Sequence, residues 1–306
     1  MVKKYPPLPN LDNIDLRLLR VFLAVVRNRG FSAAQLELNI NQPTISTHMT
    51  QLETRLGVCL CHRGRGGFQL TEEGEVVYEA ARRLFSSVEE FRAQIARHRG
   101  ELVGDLHVGA VDAIITNPHL RLQGVIRDFC DIADAVRMHI YIKSPQSLQR
   151  DLVEERIHLA IAPFTKLPPT LVTVPIFAER QGLYCGDTHA LYGLDDGELS
   201  VDLLPAHRYA ARSYLQNWAP PHFPQLTPSA YTGDMEALAL FILSGVFIGH
   251  LPRHYAAPWV ERGKLRELLP DALSYQSQFY LAYRNAETSL AAERFIDLMR
   301  ATFAVA

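Results

Sequence analysis

From Thr71 to Arg99 the chain writes one amphipathic helix, and a half-apolar helix of that length does not stand alone. Thr71-Glu72-Glu73-Gly74 caps and charges its start. Val76, Val77, Ala80, Leu84, Val88, Phe91 and Ile95 form its apolar stripe, and Arg99-Gly100 closes it. Outside a compact domain such a stripe needs a partner, and the expected one is the same helix of a second copy. The helix therefore splits the chain into a head (1–70), a connector (71–100) and a body (101–306), a division that 306 residues accommodate.

Charge is distributed unevenly over these parts. The head carries nine Lys/Arg against four acids, so a chain of net charge -2 leaves -7 on everything after residue 70. A basic head on an acidic body is expected to meet a polyanion.

Within the head, Asp15 is placed to cap a helix whose apolar positions Leu16, Leu19, Phe22, Leu23 and Val26 follow helical spacing, with Gly30 as its stop. Ser32-Ala33-Ala34-Gln35 reads as a capping box for a short helix to Leu38. Asn41 then caps a third helix with Pro43 in its first turn, where a missing N–H costs nothing. Ile45, Met49, Leu52 and Leu56 line its inner face, and Gly57 ends it. Two short helices joined by a tight turn inside a three-helix unit make a helix-turn-helix. The outer face of the third helix offers Gln42, Thr44, Ser46, Thr47, His48 and Gln51, where a merely solvated face shows Glu and Lys. Amides pair bidentately with adenine, and a Thr methyl contacts the thymine methyl. Val58–Cys61 and Phe68–Leu70 read as two strands around His62-Arg63-Gly64-Arg65-Gly66-Gly67, a hairpin wing whose Arg63 and Arg65 suit phosphate or minor-groove contact.

Taken together, Phe31-Ser32-Ala33-Ala34, Asn41-Gln42-Pro43-Thr44-Ile45-Ser46, Gln51-Leu52-Glu53, Leu56-Gly57, Arg63 and Leu70-Thr71-Glu72-Glu73-Gly74 closely resemble the LysR-type transcriptional regulators. The resemblance implies an N-terminal winged helix-turn-helix, a dimerising linker helix, and a C-terminal two-lobed α/β effector domain built like a periplasmic binding protein. It implies a cytoplasmic homodimer that pairs into a homotetramer on double-stranded promoter DNA, a small-molecule effector, and RNA polymerase as a further partner. Carried over by position, Gln42, Pro43, Thr44, Ser46 and Thr47 are the base readers, with His48 beside them, and Ser32 and Arg63 are phosphate contacts. Cys61 stands where the family usually has Phe and Asn41 where it has Ser; Thr47-His48 replaces a pair that is often Arg-Gln, so the operator is expected to differ in detail.

The body alternates strands and helices, which argues for a parallel α/β sheet. Strands are expected at Leu102–Val108, Val136–Ile142, Ile157–Ala162, Val172–Phe177, Gly182–Cys185, Val246–Gly249 and Phe279–Tyr283. Helices are expected from Asn117-Pro118 to about Asp131 and over Ser147–Glu155, Asp234–Ser244 and Ser289–Phe303. The first lobe covers about 101–174 and 278–306, the second about 175–277. Ser244-Gly245-Val246-Phe247-Ile248-Gly249-His250-Leu251-Pro252 is the clearest local resemblance to the LysR-type effector domain. Ligands in open α/β sheets bind at the carboxyl ends of strands and against helix N-termini. That selects Val111, Asp112, Ala113, Thr116, Ala162, Phe164, Arg212, Ser213, Asp234 and Phe247 as effector contacts, with Tyr214 and Trp218 as aromatic lining. Family members often hold a carboxylate effector on hydroxyl residues just after the first strand; Val111 and Ala113 stand there, so that usual arrangement is not expected.

Other classes fare worse. No P-loop, G-x-S-x-G, H-E-x-x-H or G-x-G-x-x-G is present, so no enzyme is signalled and no cofactor is expected. Cys59-Leu60-Cys61-His62 puts ligands two apart with no distant partner pair, which makes a poor tetrahedral metal site. A redox pair of Cys130 and Cys185 remains an alternative that spacing does not support. The start has no apolar signal-peptide core, and the longest apolar run, near Ala237–Gly249, is too short to span a membrane.

Overall fold

The computed structural model describes residues 10, 12–64, 67–215, 226–285 and 289–303, and the chain divides into two compact units between Arg92 and Ala93. In the first, α1 (Asn13–Arg27) is capped by Asp12, whose carboxylate accepts from the Ile14 and Asp15 amides while the Asp15 carboxylate accepts from the Asp12 amide. Asp15 is therefore not the cap but the closing member of the box, three residues inside. The Ser32 capping box also fails to form. Arg29 turns the chain at φ 53, so Phe31 is already helical and buried, and α2 (Phe31–Leu38) starts from Gly30 with Ser32 inside it.

Asn41 does cap α3 (Gln42–Leu56), accepting from the Thr44 amide at 3.0 Å, and Gly57 closes it in the left-handed conformation that glycine adopts without strain. The wing is β1 (Cys61–Gly64) paired antiparallel with β2 (Gly67–Leu70), later than the expected Val58–Cys61. The shift has a cause: the Leu60 amide is taken by the Glu53 carboxylate at 2.8 Å and the Leu60 carbonyl by the Thr71 amide at 3.1 Å, so residue 60 ties helices together instead of pairing in a strand. Thr71 then caps α4 (Glu72–Arg99) through the Gly74 amide at 2.8 Å. Phe22, Leu18, Ile45, Met49, Leu52, Leu60 and Ala81 fill this unit's core.

The second unit is a mixed sheet with helices on its faces. Its first part comprises β3 (Gly104–Ala110), α5 (Leu122–Cys130), β4 (Val136–Ile142), α6 (Pro145–Val153) and β5 (Leu159–Ala162), around a core that includes Leu106, Val108, Phe129, Leu148 and Ile161. β6 (Leu171–Gly186) leads out of it. The other part holds β7 (Arg208–Arg212), β8 (Pro228–Thr232), α7 (Met235–Leu243), β9 (Phe247–Pro252), α8 (Arg253–Glu261), β10 (Leu265–Leu268) and α9 (Pro270–Leu273). β11 (Tyr275–Arg284) returns the chain, and α10 (Leu290–Phe303) packs on the first core.

The strand order is β4-β3-β5-β11-β6-β9-β7-β8, with β10 on β6. Pairing is parallel within each part, β3 with β4 and β5, β7 with β8 and β9, and antiparallel wherever β6 or β11 is involved. The expected parallel α/β sheet is thus corrected to a mixed one, parallel within each part and antiparallel where β6 and β11 pair. β6 runs unbroken where two short strands were expected, because its Tyr275–Arg284 partner continues across both parts. The helix expected from Asn117 starts five residues later, after a turn in which the Asn117 Oδ1 accepts from the His119 amide at 2.9 Å, and β7, β8, β10 and α8 were not anticipated.

Candidate functional site

The polar face of α3 is built on a fixed start. Gln35 joins the two helices: its Nε2 donates to the Ser32 carbonyl at 3.2 Å and to Ser32 Oγ at 3.4 Å, and its Oε1 accepts from the Gln42 amide at 3.0 Å. Ser32 and Gln42 are thereby brought together, a linking role of Gln35 that sequence reasoning missed. Gln42, Pro43 and Thr47 are exposed, and Thr44 and Ser46 are half-buried. Two of the hydroxyls are spent locally, Thr44 Oγ1 on Asn41 at 2.7 Å and Thr47 Oγ1 on the Pro43 carbonyl at 3.0 Å. Such local bonding fixes the rotamer. His48 is half-buried with Nδ1 sequestered, and burial together with the nearby Arg17 charge lowers its pKa. Arg63 stands in β1 opposite Phe68; Arg65 lies outside the described residues.

In the second unit a cavity of about 480 Å³ opens at the strand ends, the size of a small-molecule site. Of the expected contacts it gathers Val111, Asp112, Phe164 and Arg212; Tyr214 also lines it. The rest stand elsewhere. Thr116 bonds His254 Nδ1 at 2.8 Å, Asp234 caps α7 through the Ala237 amide, and Phe247 packs on Phe241 with ring centroids 5.1 Å apart. Ala162 is buried at the end of β5, Ala113 packs against the core around α7, and Ser213 is exposed beyond β7. Trp218 lies outside the described residues.

Two ionic clusters organise the cavity. Arg212 closes on Asp112 bidentately, Nη1 to Oδ2 at 3.0 Å and Nη2 to Oδ1 at 2.8 Å, and the Met235 amide at the start of α7 also donates to that carboxylate. Asp112 comes from the end of β3 and Arg212 from the end of β7, so this pair spans the two parts of the unit. Arg212 is 5 % exposed and its guanidinium lies 5.0 Å from the Tyr214 ring centre. Ala113, at φ 59, holds a backbone conformation that alanine enters at a cost, and it turns the chain directly after Asp112. The second cluster is centred on Glu179 of β6, which accepts from Gln181 at 2.6 Å, His254 at 2.7 Å and Asn117 at 3.0 Å. Glu179 and Gln181 fall between the two strands expected there, Val172–Phe177 and Gly182–Cys185, so no strand alternation marked them as inward-facing. Tyr209 donates toward His250 Nδ1 at 3.1 Å; desolvation of the half-buried pair holds the His250 pKa down to about 4 and raises Tyr209 to about 12.

Comparison with known proteins agrees with this layout. Residues 16–75 match the family described as "Bacterial regulatory helix-turn-helix protein, lysR family", and residues 99–304 match "LysR substrate binding domain". The chain is 36 % identical to the HTH-type transcriptional activator BauR of Pseudomonas aeruginosa over 95 % of its length and 96 % of that protein's. It is 29 % identical to the SDS degradation transcriptional activation protein of a Pseudomonas strain, over 93 % of this chain and 95 % of that one. Among solved structures, full-length CbnR complexed with its target DNA superposes with a TM-score of 0.62 at 20 % identity, covering 94 % of this chain and 99 % of that one. The full-length Vibrio cholerae virulence activator AphB gives 0.61 at 17 % identity, covering 94 % and 98 %.

Proposed function

We propose a specific working for this chain, which belongs to the LysR family of bacterial DNA-binding transcriptional regulators. It is a transcriptional regulator, not an enzyme, with a helix-turn-helix that binds DNA and a domain that binds a small-molecule effector. In our reading residues 1–70 are the DNA-binding head, 71–100 the dimerising linker and 101–306 the effector domain. Its lobes are about 101–174 with 278–306, and about 175–277.

α3 enters the major groove with Gln42, Pro43, Thr44, Ser46 and Thr47 at the bases; Ser32, Arg63 and Arg65 hold phosphates. His48 stays at the rim, since its Nδ1 is sequestered. The exposed row Val76, Phe91 and Ile95 on α4 is covered by the same helix of a second copy, and dimers pair into tetramers. Effector enters the cavity at Asp112, Phe164 and Arg212 and shifts the two lobes about β6 and β11. That changes the spacing of DNA-bound heads by a coupling of about 1–3 kcal/mol. Two of its relatives are named as activators, and in our reading this chain likewise activates transcription through RNA polymerase in the cytoplasm. No helix among the described residues is long and apolar enough to cross a membrane.

The observation that carries this reading is the nearly uncharged, amide- and hydroxyl-bearing start of α3, pinned through Gln35. The test is selection of binding sites from random duplexes, followed by gel shifts with Gln42→Ala and Arg63→Ala. Gln42→Ala is expected to relax discrimination at one base position by about 1–3 kcal/mol, and Arg63→Ala to weaken all sequences alike. Failure to enrich any sequence overturns the reading of α3.

A further inference from the structure

Resting on the assignment of this cavity as the effector site, we propose that Asp112 occupies, in the ligand-free protein, the place a ligand carboxylate takes. The effector is then a small zwitterion bearing one ammonium and one carboxylate.

The argument starts from the cation. Arg212 is 5 % exposed and already holds a carboxylate on both Nη atoms. An anionic ligand reaches it only by moving Asp112 aside. A simple carboxylate would take one of the two guanidinium bonds from Asp112 and add an uncompensated negative charge beside Asp112 and Glu179 in the same cavity. A buried charge without a partner is strongly unfavourable. A simple amine meets the mirror problem, since drawing Asp112 away leaves Arg212 uncompensated. A molecule carrying both charges satisfies both partners, and no charge is left alone.

A second observation points the same way. Arg212 Nε is buried and has no hydrogen-bond partner among the described residues. The side edge of the guanidinium, Nε with its neighbouring Nη, therefore has a donor in reserve for an incoming carboxylate while Asp112 slides toward the other edge. Glu179 does not compete for the ammonium, because three donors already occupy it. The two protein charges now touch, so the ligand that separates them is short, with few carbons between its ends.

The experiment uses the full chain, with calorimetry and thermal shift against matched probes: α- and ω-amino acids of about two to six carbons, monocarboxylates of the same lengths, and the matching alkylamines. At least one amino acid is expected to bind wild type ten times or more tighter than its matched acid and amine. Asp112→Asn is expected to melt lower, to be restored by the monocarboxylate, and to bind that acid at least tenfold tighter than wild type does. The neutral pair Asp112→Leu with Arg212→Met keeps the fold and answers none of the probes. A monocarboxylate that binds wild type as tightly as any amino acid, and loses binding in the double variant, overturns the zwitterion and leaves the cavity assignment standing. A probe whose affinity is unchanged in the double variant overturns both, and silence from every amino acid overturns the proposal.

Discussion

Arg55, in the last turn of α3, forks onto Asp15 in the first turn of α1: its Nη2 lies 2.7 Å from Oδ2 while its Nε donates to Oδ1. Asp15 is 1 % exposed, so a carboxylate in the core is matched by the planar donor that suits it. The Arg55 hydrogen bond, opposed by burial and aided by the Asp12 amide, lowers the Asp15 pKa. With the folded value depressed, the pair's contribution is present above the ordinary carboxylate range. It is lost as pH falls below about 4 through the folded value.

Replacing Asp15 by Asn removes the charge and keeps the shape. The head's melting midpoint in the full chain is expected to fall by on the order of 5 °C near neutral pH, read by calorimetry. Arg55→Lys, which keeps charge but not the fork, is expected to fall less. An unchanged midpoint in both would show the pair to be energetically idle.

Gly74 is needed for a close approach. A Cβ there would sit 1.9 Å from the Leu60 carbonyl oxygen, the same atom that accepts the Thr71 amide. Gly74→Ala is expected to push α4 off the wing and destabilise the head by about 1–3 kcal/mol, measured by urea unfolding. Wild-type stability would mean that the turn yields without cost.

Phe91 and Ile95 on α4 are 64 % and 47 % exposed in the single chain. If they seat a second copy, Phe91→Glu with Ile95→Glu yields a folded monomer at micromolar concentration by analytical ultracentrifugation, with DNA affinity down at least tenfold, on the order of 1.4 kcal/mol. A dimer that survives the double substitution excludes this face as its seam.

Acid sensitivity has a second source in the effector domain. His158 Nδ1 accepts from the His107 amide at 2.9 Å. Burial, then the neighbouring His107 and Arg284, hold its pKa down to about 4 against a small opposing effect of Asp105. His250 is held to about 4 by burial. Since these folded values lie below the unfolded one, their stability is complete above about pH 6.5 and drains as pH falls toward 4. Each is worth roughly 3 kcal/mol over that interval. His158→Asn keeps an acceptor without a titrating ring and is expected to flatten the decline of the unfolding free energy between pH 6.5 and 4. An unaltered slope would remove His158 from the account.

The head was legible almost residue by residue, because its signals are local. Asn41, Pro43 and Gly57 bound α3 by their own chemistry, and Ile45, Met49 and Leu52 repeat at helical spacing and are buried as that spacing requires. The misplaced caps at Asp15 and Ser32 erred by three and two residues, since several residues in each stretch can cap and packing of Phe31 and Asp15 chose among them. In the effector domain Val136–Ile142 and α10 were legible for the same local reason, but β7, β8 and the full length of β6 were not. A strand is stabilised by what lies beside it, and the neighbours of β6 are β11, β9 and β10, far along the chain.

The order of head, connector and body, the polar face of α3, the apolar stripe of α4 and the candidacy of Asp112 and Arg212 are all written in local pattern. That those two residues, 100 positions apart, meet as an ion pair, and that Glu179 is buried among Asn117, Gln181 and His254, follows from long-range packing. Helical faces and caps are written within a few residues of one another. A charge pair across a cavity depends on strand order and register, which are set by the packing of the whole sheet.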